Sequence, residues 1–212
     1  MLVLLAAVAL ATAVDAEQAF IRDSHTQGQW TAFRKWADSS AVIFTPQAVW
    51  AQDYLKDRAD PPTSIDWAPA NSWVSCDGRT AINRGPWTSA SGKAHGYFTT
   101  IWMQSHSTWR WIYDGGAELP VPMVLPKKVR SAQASCKNLA QVPAAYREAV
   151  VATARIAGRP PADAGQGRSA DGTLIYEWKV AADGARHFLA RMWNGRSYKL
   201  ILDQNIPGPQ GS

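Results

Sequence analysis

The stretch from Asn83 to Gly116 constrains this chain most. It holds β-like runs in close succession, with turn residues at each junction, and four of the chain's 11 Trp: Trp87, Trp102, Trp109 and Trp111. The period is two from Ser64 onward. Ser64–Val74, Thr80–Trp87, Lys93–Gln104 and Thr108–Tyr113 are expected as strands, separated by turns at Cys76-Asp77-Gly78, Ser89–Gly92 and Ser105–Ser107. Short links between neighbouring strands imply an antiparallel meander. Residues two apart on a strand share a face, so Trp109 and Trp111 lie together.

Ahead of the meander the pattern is helical. Phe20, Trp30, Phe33 and Ala37 carry the apolar face between Glu17 and Asp38, and Gly28 breaks or bends it. Ala41–Phe44 predicts a strand. Pro46, with Thr45 as N-cap, predicts a helix over Gln47–Arg58. Helices followed by a meander give an α+β order.

The flanks divide the chain further. Leu2–Val14 is an uncharged apolar run too short to span a bilayer, with small residues placed for a cut after Ala13 or Ala16. Residues 1–16 are expected as a secretory signal, giving a periplasmic or secreted protein without a stable membrane anchor. Residues 17–118 form the main domain and 119–170 a Pro/Gly-rich connection, with a helix over Ala144–Ala157 and a mobile Arg159–Ala170. Residues 171–206 are a small C-terminal β-meander lobe of three strands, Thr173–Val180, Arg186–Trp193 and Ser197–Leu202. Asn194-Gly195 is the strongest hairpin signal, and the tail after Ile206 is expected to fray.

Composition narrows the function. With 212 residues, 46% of them hydrophobic and 18% charged, the chain can bury a core without metal or disulfide support. Its net charge of +5 is scattered, the densest cluster being Lys127, Lys128 and Arg130, so no nucleic acid is expected as partner. Cys76 and Cys136 are compatible with one disulfide or with two packed thiols, and neither has ligand-spaced Cys or His neighbours. No nucleophile elbow, zinc helix, phosphate loop or dinucleotide turn occurs, and no cofactor or metal is expected.

Gly85-Pro86-Trp87, then Gly96-Tyr97-x-Thr99-x-x-Trp102, then Trp109-x-Trp111-x-x-Asp114-Gly115-Gly116 resembles the SnoaL-like group of the nuclear-transport-factor-2-like superfamily, close to its ketosteroid-isomerase-homologue domains of unknown function. Trp30-x-x-Phe33 and the run Asp38–Pro46 agree with it, so the resemblance covers about residues 17–116. It implies a cone, in which a curved antiparallel sheet wraps helices around an apolar pocket, and a homodimer formed through the sheet's convex face. It leaves function open, because this fold hosts several chemistries.

Acid-base work in such a cone needs an Asp, His or Tyr whose pKa an apolar wall shifts. Asp23, His25, Asp53, Tyr54, Asp66, His95, Tyr97 and Asp114 are the candidates by residue type, and Asp23 and His25 cannot both face the pocket. Asp23, Asp53, Tyr54, Trp87, Tyr97, Trp102 and Asp114 are the candidate pocket residues. Against each stands a plainer role: an Asx-turn ending the strand for Asp114, a cross-strand aromatic for Tyr97, core or interface for the Trp set. Three readings follow. The chain binds a small apolar or amphipathic ligand; it is an isomerase, dehydratase or hydrolase pairing a carboxylate with Tyr or His; or it is a dimerising scaffold with a filled cone.

Overall fold

The computed structural model describes residues 12–146 and 159–209. Helices α1 (Ala13–Gln27) and α2 (Gln29–Trp36) meet at Gly28, whose φ of 105° only glycine adopts readily. Ala13, Ala16, Glu17, Phe20 and Ser24 recur at helical spacing and form the buried stripe of α1. The helix starts earlier than expected because Thr12 and Asp15 cap it reciprocally. The Thr12 N–H donates to Asp15 Oδ2 (2.8 Å), and the Asp15 N–H donates to Thr12 Oγ1 (3.2 Å).

β1 (Ala37–Phe44) leads through a cis Thr45-Pro46 bond into β2 (Ala48–Trp50) and then into α3 (Ala51–Leu55). The expected Gln47–Arg58 helix is therefore mostly absent. Val49 and Trp50 suit a pleated edge, and they pair antiparallel with Ile43 and Val42 instead. The expected Ser64–Val74 strand is split by Pro69 into β3 (Asp66–Trp67) and β4 (Asn71–Val74), since proline has no N–H for the ladder. The centre is β5 (Thr80–Thr88), β6 (His95–Ser105) and β7 (Thr108–Glu118). β7 runs five residues beyond the expected Tyr113. His106 and Ser107, both at positive φ, make the tight turn before it.

β8 (Arg130–Gln133) completes an eight-stranded sheet ordered β2-β1-β7-β6-β5-β4-β8, with β3 beside β5. The sheet is mixed rather than wholly antiparallel, because β1 runs parallel to β7 and β4 parallel to β8. The α+β class and the curved sheet over the helices stand.

A second antiparallel sheet holds β9 (Ala164–Arg168), β10 (Leu174–Val180), β11 (Arg186–Trp193) and β12 (Tyr198–Ile206). It has four strands, not three. The Gly-rich segment taken as a mobile loop supplies β9, whose Gly165 and Gly167 sit under Trp178 and Tyr176 where a Cβ would collide with the rings. The hairpin expected at Asn194-Gly195 forms and joins β11 to β12. Only Gly195 has positive φ, while Asn194 Oδ1 accepts from the N–H groups of Arg196 (2.9 Å) and Ser197 (3.0 Å). Of the helix expected over Ala144–Ala157, Ala144–Tyr146 is 3₁₀ and the rest lies outside the described residues.

The faces of the large sheet have different partners. Its inner face packs on α1, α2 and α3 through Phe20, Ala32, Leu55, Trp67, Phe98, Trp102, Trp109 and Trp111. Trp109 and Trp111 indeed share this face. The outer face presents Val42, Ile82, Ile101 and Tyr113 to Leu174, Trp178, Phe188, Ala190 and Leu202 of the second sheet. The C-terminal strands thus form the appended β-meander as a sheet of its own, packed as a sandwich on the cone. Cys76 and Cys136 are joined in a disulfide, deciding between the two readings open to them. Beside it the Cys76 N–H donates to Thr173 Oγ1 (2.9 Å) and the Asp77 N–H to Asp171 Oδ2 (2.7 Å), tying the β4–β5 turn to the second sheet.

Candidate functional site

A cavity of about 730 Å³ lies between α2, the diverging ends of β1 and β7, and one end of the second sheet. Its inner part is walled by Trp30, Phe33, Ile65, Trp67, Trp87 and Phe98. Its outer part is bounded by Phe44, Pro46, Gly184, Arg186 and the tail Pro207-Gly208-Pro209. The tail expected to fray is therefore part of the wall as far as Pro209.

Asp114 enters this cavity because of a bulge. Ile101 pairs with Tyr113 and Trp102 with Trp111, so Ile112 is an extra residue in β7. Before it Trp109 and Trp111 point inward; after it Tyr113 points outward, opposite Ile101, and Asp114 points inward, opposite Thr100. Asp114 is thus an interior strand residue, not the Asx-turn that its Gly-Gly neighbours suggest. Thr100 Oγ1 donates to its Oδ2 (3.0 Å). Its carboxyl opens on the cavity but otherwise sits deep in the fold. Burial, reinforced by the nearby Glu17 carboxyl, pushes its pKa up to about 7, with Thr100 and Arg186 opposing.

Glu17 lies beneath, fully buried. Trp67 Nε1 donates to its Oε1 (2.8 Å), while Trp102 Nε1 (2.7 Å) and Asn83 Nδ2 (3.2 Å) donate to its Oε2. Burial raises its pKa too, against those three hydrogen bonds. Two inward-facing acids therefore share the cone, one in the cavity wall and one in the core below it.

Arg186 is the principal cation of the wall. It is 8% exposed, its Nη2 donates to the Gly116 carbonyl (2.8 Å), and its guanidinium carbon lies 4.0 Å from the centre of the Phe44 ring. Gly115 leaves room for it, and Gly116 for the neighbouring strand. A Cβ on Gly115 would come within 3.3 Å of Nη2, and one on Gly116 would strike the Tyr97 carbonyl.

Of the expected pocket residues, Tyr54, Trp87, Tyr97 and Asp114 line the cavity. Tyr97 belongs to the outer register of β6, with Arg84 stacked 4.5 Å from its ring, and burial raises its pKa despite Arg84 and Arg186. Tyr54 is covered by Arg58 at 4.6 Å. Asp23, Asp53 and Trp102 are not in the wall. Asp23 points toward α2, where it binds Trp36 Nε1 (2.7 Å) and Lys35 Nζ (2.8 Å); its desolvation is outweighed by these partners, which hold its pKa low. Asp53 is exposed on α3. Trp102 is core, anchored on Glu17. His25 and Asp66 form an exposed pair at 3.2 Å, away from the cavity. His95 lies at the start of β6 and is not in the wall either.

Glu17, Thr100 and Arg186 escape the sequence reading. For Glu17 a signal was present, namely its place one helical turn from Ala13 and Phe20, but the signal-peptide reading put a chain end there. Arg186 has no local signal, since its role depends on docking of the second sheet. Among the described residues no cluster of His, Cys, Asp or Glu has the makings of a metal site, and no helix is long and apolar enough to cross a membrane.

No protein-family model and no curated protein matches the sequence. Solved structures similar to the chain include a protein with unknown function from the DUF3225 family of Pectobacterium atrosepticum (15% identity, TM-score 0.38, covering 50% of this chain and 88% of that one). Another is a function unknown protein from Mycobacterium tuberculosis (13% identity, TM-score 0.34, covering 50% and 75%).

Proposed function

We propose that the chain is an exported member of the SnoaL-like, nuclear-transport-factor-2-like group that binds a small amphipathic molecule in its cone. The observation carrying this reading is the cavity of about 730 Å³, walled mainly by aromatic and aliphatic side chains with a few polar groups between them. That size and lining suit a drug-sized ligand. The filled-cone scaffold is disfavoured by the same volume. Native mass spectrometry for a co-purified ligand tests the reading, together with tryptophan emission against a panel of neutral and charged apolar compounds. Trp30, Trp67 and Trp87 in the wall make emission a direct reporter. A ligand-free protein whose emission no compound changes would sink it.

One observation favours catalysis as a second reading: Asp114 has a pKa close to 7, where a carboxylate exchanges protons effectively. Its hydrogen-bonding partner is Thr100, however, and although Tyr54 and Tyr97 share the cavity wall with Asp114, no hydrogen bond among the described residues joins either phenol to it. Ligand-derived deuterium exchange in heavy water that Asp114→Asn abolishes would decide for the enzyme.

Export is supported by the apolar N-terminal run and by the Cys76–Cys136 disulfide, which persists in oxidising compartments. Cleavage after Ala16 would remove the Thr12 cap and the buried Ala13 and Ala16. A cut after Ala11, with Ala9 at −3, keeps α1 whole. We place the mature start at Thr12; an intact Met1 in the mass of the native protein would refute it. The homodimer expected through the convex face meets an obstacle, because the chain's own second sheet covers that face. We propose that this intramolecular sandwich replaces the dimer. Sedimentation at micromolar concentration then gives a monomer, and a tight dimer would count against the proposal.

A further inference from the structure

The binding reading leaves a buried cation in the cavity wall unexplained. Arg186 is more than nine-tenths buried and lines the cavity, and its Nε has no hydrogen-bond partner. A guanidinium offers five N–H donors and is charged at every accessible pH. Buried positive charges are normally matched by a carboxylate or phosphate, since an unmatched one loses its hydration without return. Here the compensation is partial. It comes from the Gly116 carbonyl at 2.8 Å, the Tyr113 hydroxyl and the Phe44 ring at 4.0 Å, all without net charge. No carboxylate among the described residues lies within ion-pair distance of Arg186, although Asp114 is near enough for its charge to be felt.

The surroundings show where a matching anion would sit. Arg186 opens β11 directly after the Gly184 turn, and both residues belong to the outer part of the cavity together with Ile206 and Pro207-Gly208-Pro209. The aromatic wall of Trp30, Phe33, Trp67, Trp87 and Phe98 occupies the opposite, inner part. The cavity is thus polarised along its length, apolar inside the cone and cationic at the second sheet. Two acids also line it. Asp114 faces inward from β7, on the opposite side of the strand from Gly115, which touches Arg186. Glu118 stands exposed at the rim, where solvent and salt screen it.

We propose that the ligand is an amphipathic carboxylate, its apolar body within the cone and its acidic head on Arg186. This deepens the binding reading above and rests on it. A carboxylate in the cavity supplies the missing charge to the guanidinium through charge-assisted hydrogen bonds. Arg186 would then set specificity for charge, and the indoles would set it for shape.

The test compares naphthoate and decanoate with their own primary amides on the wild-type protein, by tryptophan emission and calorimetry. The expected result is a preference for the acid of about 10- to 100-fold, as for hydrogen bonds to charged groups. Arg186→Gln should remove the preference while binding of the amides persists, and Arg186→Lys should keep part of it. Equal binding of acid and amide to the wild type overturns the anion assignment and leaves the binding reading intact. Amides that bind while the acids do not overturn it as well. Failure of all four compounds, with no other apolar compound moving the emission, overturns both. If Arg186→Gln does not fold, the acid-amide comparison on the wild type is still decisive.

Discussion

The two faces of the eight-stranded sheet are built from the same strands and do opposite things. Over most of its length the outer face is sealed, with Ile82, Ile101 and Tyr113 meeting Leu174, Phe188 and Ala190, and it borders the cavity only at its Phe44, Tyr97 and Arg186 end. The polar contact within it is self-contained, as Thr99 Oγ1 and the Gln204 amide each donate to the other (3.2 and 3.0 Å). The inner face packs helices and yet retains two acids, a cavity and indoles bonded to a carboxylate. A sheet that needed only stability would resemble its outer side. The inner side accepts desolvated carboxyls, which is the kind of local cost that functional sites carry.

Substitutions should separate the two sides. The largest effect belongs to Glu17→Ala, which strands the indole N–H groups of Trp67 and Trp102 and one N–H of the Asn83 amide, whose Nδ2 keeps only the Ala13 carbonyl (3.1 Å). At about 1–3 kcal/mol for each orphaned donor, a loss of roughly 4–6 kcal/mol is expected in denaturant titration. A loss below about 1 kcal/mol would mean that these groups find water and that the inner core is wet. Phe188→Ala on the sealed side should cost about 3–5 kcal/mol by cavity formation, and it should leave ligand-induced emission changes untouched.

Removing the disulfide with Cys76→Ser comes next. Its closed span is 60 residues, and a loss of about 2–4 kcal/mol follows, with the second sheet's amides exchanging faster than those of β6. Uniform exchange across both sheets would show that the sandwich opens as one unit and would blur the contrast.

The most specific effect is on pH dependence, and per pH unit it is the smallest. Folded Asp114 keeps its proton up to about pH 7, whereas in the unfolded chain it releases it near its ordinary 3.8. Between those values the folded state binds more protons, so stability falls as pH rises, by up to about 1.4 kcal/mol per pH unit for this group. Glu17, also raised, adds a contribution of the same sign. Asp114→Asn should flatten the profile in that window without abolishing the slope, and an unchanged profile would show that Asp114 is ionised throughout.

Much of this was legible from local pattern. The Gly28 break, the long central strands and the shared face of Trp109 and Trp111 follow from periodicity and turn chemistry, which act over a few residues. What escaped depends on contacts between distant segments. β9 forms because glycines leave room under the aromatic rings of β10, a reason invisible in a Gly/Pro-rich stretch. The edge pairing of Val49 and Trp50 with β1 overrode a plausible helix start at Pro46. In the site, Tyr54, Trp87, Tyr97 and Asp114 were identifiable by residue type, whereas Arg186 acquires its position only when the second sheet docks 70 residues along the chain from Gly116.

The bulge at Ile112 acts as a phase marker along β7. Every side chain after it is half a period out of step with those before it, so one inserted residue sets which chemistry faces which compartment. Deleting Ile112 would leave Tyr113 outward opposite Ile101 and Asp114 inward opposite Thr100, whereas pairing Ile112 itself with Ile101 would turn the Tyr113 phenol into the cone and the Asp114 carboxylate toward the second sheet. A cavity with the Asp114 carboxylate in its wall and one without it are therefore one residue of register apart, with no change in the strand's composition.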